Sequence, residues 1–393
     1  MRVLNFLRKI RGFVKNSSNV HLLRIEIDSQ KILSNIKTLR EKFPKHQLSI
    51  VLKGNAYGHG LREMASFLDV NRDISYFCVD SLMEAKIIRD LGLKKPIIIL
   101  GYVLKNAVKQ LRRLKNIVLI VNSLQQAKDL AELVNFSLTV HLKVDTGMHR
   151  HGIVFPELEQ AINVFKNNHY IKIDGLMTHF ADADNQESSF TKKQLEIWQQ
   201  AIKIYRKYFS GGLLHFSATA GSNYLKQAEG NLIRIGAALY GFDVTKDKIL
   251  EVRPILSFWA KVVNIKTLKK GEFIGYNCIF QADKDLKVAL VPCGYFEGVP
   301  RFSSNEGHAY FNDKPLRILG RVSMNLTALD ATGIDIKLED EIEIFSSNPQ
   351  RLNSIENYAK ICKTGVHDVL VHLAPGIKRV VKNPPSYKTT AGK

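Results

Sequence analysis

A chain of 393 residues with 45% hydrophobic and 24% charged residues can bury a sizeable core and is long for one domain, which excludes a small disulfide scaffold and a disordered or fibrous protein. Its 57 Lys and Arg against 37 Asp and Glu give a net charge of +20, but the basic residues are scattered through stretches such as KTLKKGE and LKNAVKQLRRLKN with no accompanying motif, so nucleic acid is not taken as the partner. The cysteines, Cys78, Cys278, Cys293 and Cys362, lie far apart without a C-x-x-C pair, which argues against a zinc knuckle and fits a reducing, cytoplasmic setting.

The first residues, MRVLNFLRKIRGFVK, place Val3, Phe6, Leu7, Ile10, Phe13 and Val14 at helical spacing among five basic side chains. This predicts a basic amphipathic extension over 1–21 that packs on its own protein, frays in solvent or touches a membrane surface peripherally. It lacks the apolar core of a secretory signal, and its lack of acids leaves a transit-peptide reading open. Eight short apolar runs follow: LSIVLK (48–53), YFCVD (76–80), PIIILG (96–101), IVLIV (117–121), LTVHLKVD (138–145), IDGLMTHF (173–180), LLHFSAT (213–219) and LIRIGAALYG (232–241). Between them lie helix-period segments such as SLMEAKIIRDLG, SLQQAKDLAELV and KKQLEIWQQAIKIYRKYF. Strand runs alternating with periodic helices predict a parallel sheet, and eight such units predict an α/β fold, a (β/α)8 TIM-like barrel over 22–245.

From about Pro254 the texture changes to β-rich segments punctuated by Gly, Asn and Asp, predicting a mostly β C-terminal domain over 246–384 with few helices, then a disordered tail over 385–393. No run approaches the roughly 18 unbroken apolar residues of a membrane span.

In a barrel the active site lies at the carboxyl ends of the strands, where Lys53, Asp80, Lys143 with Asp145, His179, Thr219 and Arg234 fall. Lys53 ends the run in SIVLKGNAYGHG. A lysine there, partly buried and with a lowered pKa, can bond covalently to an aldehyde cofactor, or it can end a strand and return to solvent. The fragment alone leaves both readings open.

VLKGNAYGHG resembles the lysine motif of the alanine racemases, two-domain enzymes that use pyridoxal 5'-phosphate. KVDTGMHRHG, MTHFADAD, RIGAALYG, GEFIGYN, GYFEGVPR and GRVSMN follow in family order, covering residues 22 to about 380. The resemblance implies that Lys53 holds the cofactor and acts as a base on one face of the substrate Cα, and that Tyr276 is the base on the other face, reaching the barrel of a partner subunit in a homodimer. It implies Tyr57, Gly236, Ala237 and Thr219 at the cofactor phosphate, Arg234 facing the ring nitrogen, His179 packed on the ring, and Arg150 at the cofactor's phenolic oxygen and near the substrate carboxylate. Met324 and Tyr295 are implied at the substrate, and Tyr295, Asp184, Arg301 and Arg321 along an access corridor. Lys143 matches a lysine that many relatives carbamylate to orient the arginine; unmodified, it needs another anion, for which Asp145 is the candidate.

The sequence departs from the family pattern in places: Ala218 and Thr219 replace an Asn-Ser pair at the phosphate, His367 stands where a substrate-gating tyrosine is expected, and GYFEGVPR and GRVSMN replace common Ala-Asp and Cys-Asp choices. The expected function is interconversion of L- and D-alanine, supplying D-alanine for peptidoglycan. The alternatives are a serine or broad-specificity racemase and a non-catalytic, surface-associated pyridoxal-phosphate binder. A basic amino-acid decarboxylase of the same fold is disfavoured by DTGMHRHG and GEFIGYN.

Overall fold

The computed structural model describes residues 21–185, 187–245 and 247–383. Apart from His21, the expected N-terminal extension lies outside these residues, as does the expected tail 385–393. Two compact units are present, one of Ser29–Pro254 and one that joins residues 21–28 to Ile255–Asn383.

The first unit contains a strand for each of the eight runs: β2 (Gln47–Val51), β3 (Ile74–Val79), β4 (Ile97–Ile99), β5 (Ile117–Val121), β6 (Leu138–Asp145), β8 (Ile171–Met177), β9 (Leu213–His215) and β10 (Leu232–Ile235). They pair in parallel in the order β10-β2-β3-β4-β5-β6-β8-β9, with the two-residue β7 (Ile153–Val154) beside β6. Closure comes from Asn231 N–H to Leu214 O at 2.9 Å and Arg234 N–H to Ser217 O at 3.0 Å. Strands such as Ile117–Val121 are buried along their whole length, as expected where both faces of a parallel sheet are covered. The helices begin where a serine can satisfy the first free amides: Ser81 forms a capping box with Glu84 ahead of Leu82–Asp90, and Ser123 caps Leu124–Leu133. The last strand runs end earlier than their apolar letters suggest, at His215 and Ile235, because the chain turns into short helical or turn segments there.

Side chains alternate across a strand, so Val140, Leu142 and Val144 of β6 point one way and are fully buried, while Thr139, His141, Lys143 and Asp145 point the other. The barrel interior is filled by Val51, Cys78, Ile98, Val118, Ile120, Met177, Leu213 and Leu232, drawn from every barrel strand except β6. That strand presents only polar groups inward.

In the second unit, β1 (Leu23–Asp28) is central. It pairs antiparallel with β11 (Leu256–Lys261) and parallel with β18 (Lys378–Lys382), in a sheet ordered β15-β14-β17-β11-β1-β18. The others are β14 (His308–Phe311), β15 (Lys314–Arg317) and β17 (Glu341–Phe345); β12 (Asn264–Leu268), β13 (Leu286–Val291) and β16 (Thr327–Asp330) form a separate three-stranded sheet. Residues 22–28, placed with the barrel by sequence order, therefore belong to the β unit, because Ile25 and Ile27 are buried between β11 and β18. The barrel unit also continues past 245 to Pro254. The β unit carries helices at Ile355–Ile361 and Val366–Val371, each too short to show a helical period in the sequence.

Candidate active site

Lys53 stands two residues beyond β2, after the Leu52 amide has made a last bond to Cys78 O at 2.7 Å. The chain then makes a turn of reversed hand, with φ of 62, 55, 53 and 52° at Gly54, Asn55, Ala56 and Tyr57. Each non-glycine residue there costs about 1–2 kcal/mol, so the turn needs outside support. Gly54 N–H donates to Glu84 Oε1 at 2.9 Å, and Asn55 Oδ1 accepts from Leu61 N–H at 2.8 Å. His59 stacks on Tyr240 at 4.4 Å, with its Nδ1 2.9 Å from Tyr57 O, and Tyr240 donates to Val51 O at 2.8 Å. The glycines, Asn55 and His59 of KGNAYGHG thus aim the lysine and Tyr57 from one end of a strand. Burial pushes the Tyr57 phenol up to about 12, which keeps it a proton donor, and a Cβ at Gly236 would lie 2.8 Å from its oxygen. Gly236 therefore leaves open the space beside that hydroxyl. Ala237 is buried just beyond it, and the bridge between Ala218 and Arg234 seats buried Thr219 next to the end of β10.

Arg234 is buried, and desolvation pushes it down to about 10. Its Nη2 donates to Thr178 O at 2.9 Å and His179 Nδ1 at 3.2 Å, and its Nη1 donates to His215 Nδ1 at 2.9 Å. Burial, then the charges of Arg234, Arg150, Lys143 and Lys53, push His179 down to about 3, so it is neutral near pH 7. Lys143 is buried and pushed down to about 8, first by desolvation and then by Arg234 and Arg150. Arg150 is exposed at the same mouth. Asp145, expected to balance these two cations, favours the charged form of Lys143 without forming an ion pair with it, and its Oδ1 accepts from Gly147 N–H at 2.9 Å and His149 N–H at 3.1 Å. Among the described residues no carboxylate forms an ion pair with Lys143, Arg150 or Arg234. Asp184 is exposed in the loop after β8.

The remaining expected residues lie in the β unit. Gly275, with φ of 78°, precedes Tyr276, and a Cβ on it would meet Arg321 N at 3.2 Å, so the two loops abut. The amides of Tyr295 and Phe296 donate to the carbonyls of Ser323 and Met324, each at 3.0 Å. The Arg301 guanidinium lies 6.0 Å from the centroid of the Tyr295 ring. Tyr276 is 66% exposed and Met324 54%. His367 lies half-buried on the helix Val366–Val371.

Two residues at the centre of the barrel site, His141 and His215, were not singled out by the sequence. The signal was present: His141, Lys143 and Asp145 alternate along one face of a strand whose other face is wholly apolar, and His215 sits two residues after inward-facing Leu213. The assembled mouth holds Lys53, Lys143, Arg150 and Arg234 without a paired carboxylate, beside a phenol donor and a glycine gap. That donor set fits an anionic, aldehyde-bearing cofactor such as pyridoxal phosphate.

The chain matches the family models "Alanine racemase, N-terminal domain" over residues 27–244 and "Alanine racemase, C-terminal domain" over 255–381. It is 30% identical to the alanine racemase of Borreliella burgdorferi, over 90% of this chain and 96% of that one. Among solved structures it is similar to the alanine racemase of Clostridium difficile 630, with a TM-score of 0.86 and 26% identity over 93% of this chain and 97% of that one. It is also similar to a histidine racemase from Leuconostoc mesenteroides, with a TM-score of 0.83 and 27% identity over 92% and 98%. With both domain models matched in order, and a barrel and a β unit like those of the solved racemases, the chain belongs to the alanine racemase family.

Proposed function

We propose that the protein interconverts L- and D-alanine with pyridoxal 5'-phosphate as cofactor, and that it supplies D-alanine for peptidoglycan. The observation that carries this is the convergence of Lys53, Tyr57, Lys143, His179 and Arg234 at one end of the barrel, where among the described residues no carboxylate is ion-paired with the cations. When bound, the cofactor would act as an electron sink for the substrate Cα.

The chain's own groups supply the rest. Lys53 Nζ would hold the cofactor and then exchange a proton with one face of Cα, while Tyr276 Oη of a second copy exchanges a proton with the other. Inversion needs a proton removed on one side and returned on the other, so two bases on opposite faces are the simplest apparatus. A phenol with a pKa of roughly 10 needs nearby cations to serve, and the barrel mouth is rich in them. Tyr57, Gly236, Ala237 and Thr219 would receive the phosphate, with His367 as a further donor, and Arg150 would face the substrate carboxylate with Met324 and Tyr295. Arg234, a guanidinium that only donates, would hydrogen-bond the ring nitrogen without giving it a proton. Lys143 is poised for carbamylation: its neutral amine adds to carbon dioxide, forming an N–C bond and releasing a proton, and the product is the missing anion beside Arg150.

A homodimer is supported by exposed apolar side chains of the β unit, where Phe296 and Phe302 are 64% and 83% exposed and the Phe296 amide bonds to Met324 O. A racemase of wider specificity is the second reading. It is favoured by the Leuconostoc similarity and by His367, which is shorter than the expected tyrosine.

The test measures the visible absorption of protein reconstituted with pyridoxal phosphate, and racemisation of L-alanine, L-serine and L-histidine, for wild type, Lys53→Ala and Tyr276→Phe. The reading predicts a cofactor band that Lys53→Ala abolishes, and alanine turnover that falls at least about a hundredfold in Tyr276→Phe. Faster turnover of serine or histidine would transfer the assignment to the second reading. A band with no racemisation of any of the three would leave a binding protein.

A further inference from the structure

The interior of a barrel is ordinarily an apolar plug, and burying an imidazole there is costly unless both nitrogens are satisfied. Here two fully buried imidazoles stand in line behind Arg234. A guanidinium can only donate, so His215 Nδ1, 2.9 Å from Arg234 Nη1, must be the bare nitrogen. Neutral His215 then carries its proton on Nε2, which lies 2.8 Å from His141 Nδ1. His141 must therefore accept, and its own proton sits on Nε2, which has no hydrogen-bond partner. Every proton in the row is thus assigned from one end, and no member other than Arg234 is charged. Space for the row is specific as well. A Cβ on Gly175 would lie 2.7 Å from His141 Cδ2 and 2.8 Å from its Cγ, so only glycine on β8 leaves room for the ring.

We infer that His141 is a positioning residue: by accepting from His215 it fixes which nitrogen of that imidazole faces Arg234, and so the direction in which the guanidinium offers its N–H groups. The inference rests on the proposed role of Arg234 toward the cofactor ring. Without His141 the Nε2–H of His215 has no acceptor. The other tautomer would set an N–H of His215 against an N–H of Arg234, and the guanidinium would turn from its present direction while held only by His179 and the carbonyls of Thr178, His215 and Phe216.

The test uses the full chain with 15N-labelled histidine, with and without pyridoxal phosphate, in wild type, His141→Asn, His141→Phe and Gly175→Ala. The Asn side-chain carbonyl can take the place of Nδ1 as acceptor; Phe fills the volume without accepting. His215 should carry its proton on Nε2 in wild type and His141→Asn and move it to Nδ1 in His141→Phe. Cofactor affinity should fall about tenfold in His141→Phe with a displaced visible band, and both should recover in His141→Asn. Gly175→Ala, which crowds the ring without removing it, should behave like His141→Phe and keeps the test alive if that variant does not fold.

An unchanged His215 tautomer in His141→Phe or Gly175→Ala overturns the inference. So does a changed tautomer with wild-type affinity and band. If wild type binds no cofactor, the proposed function fails, while the tautomers still decide whether His141 sets His215.

Discussion

At Lys143, burial and the neighbouring charges of Arg234, Arg150 and Lys53 all favour the neutral amine, against Asp145 alone. The amine is therefore half neutral near pH 8, where an ordinary lysine is almost wholly charged. Protein equilibrated with 13C-bicarbonate should show a carbamate carbonyl resonance that grows as the pH rises from 7 to 8.5 and is absent in Lys143→Arg. No resonance at any pH in this range would leave the mouth to be balanced by cofactor and substrate alone. Tyr57 offers a second check, since Tyr57→Phe removes a buried donor while keeping the ring. Affinity for pyridoxal phosphate should drop about tenfold with little loss of fold stability, as measured by equilibrium dialysis and urea unfolding. Lys53 and Arg234 were legible in the sequence because each sits in a distinctive motif. The row behind Arg234 was not, because His141 and His215 are 74 positions apart and each, alone in an apolar strand, reads as an ordinary buried histidine. Likewise Asp145 stands two residues from Lys143 in sequence, yet its carboxylate is taken by the backbone of its own turn.

For the turn at Lys53–Tyr57, the letters KGNAY give glycine only one of the four left-handed positions. Ala56 is fully buried at φ of 53°. Replacing it by glycine relieves about 1–2 kcal/mol of backbone cost against about 0.5–1 kcal/mol of added chain entropy. Ala56→Gly should therefore unfold at the same urea concentration as wild type or a higher one. Asn55→Val, which adds branching at Cβ and removes the acceptor for Leu61 N–H, should lose about 2 kcal/mol or more. A destabilised Ala56→Gly would show that methyl packing outweighs the reversed backbone. This element was half legible: the glycines announced a turn, but its hand depends on Glu84, His59 and Tyr240, which lie outside the five residues. The eight strands could be read directly because each is a short, largely apolar run set between helix-period segments, although β6 and β8 also carry polar residues. Their ends could not, since LIRIGAALYG stays apolar through the turn that follows Ile235.

Three imidazoles of the barrel site contribute to the acid response of the whole molecule. Burial pushes His141 down to about 4, His179 to about 3 and His215 well below the usual range. The unfolded chain binds protons on all three near pH 6.5, while the folded chain does not until the lower values are reached. Stability should thus fall as the pH drops below 6.5, by about 1.4 kcal/mol per pH unit for each histidine, and should not change on their account above pH 7.5. Urea titrations between pH 7.5 and 4.5 should show this slope, reduced by one histidine in His141→Asn; an equal slope in the variant would mean that His141 is charged in the folded state.

The proposed sharing of each site between two copies makes a further prediction at this scale. Lys53→Ala and Tyr276→Phe, each nearly inactive alone, should regain activity when refolded together, because a mixed dimer would then hold one site with both proposed bases intact. No recovery in a mixture shown to contain mixed dimers would place both bases in one chain. The division into a barrel and a β unit was legible from the change of texture near residue 254. The destination of residues 22–28 was not, since a strand's partners more than 200 positions away leave no local mark.

The path of β1 also orders events in time. The strand is made before the barrel sequence, yet the two strands that cover it, β11 and β18, emerge only after the whole barrel sequence has been translated. At about 5–20 residues per second, Ile25 and Ile27 wait roughly ten seconds to most of a minute without their neighbours, and β18 arrives after β11. The barrel is in effect an insertion within the β unit, which becomes a lasting structure only when β18 has left the ribosome.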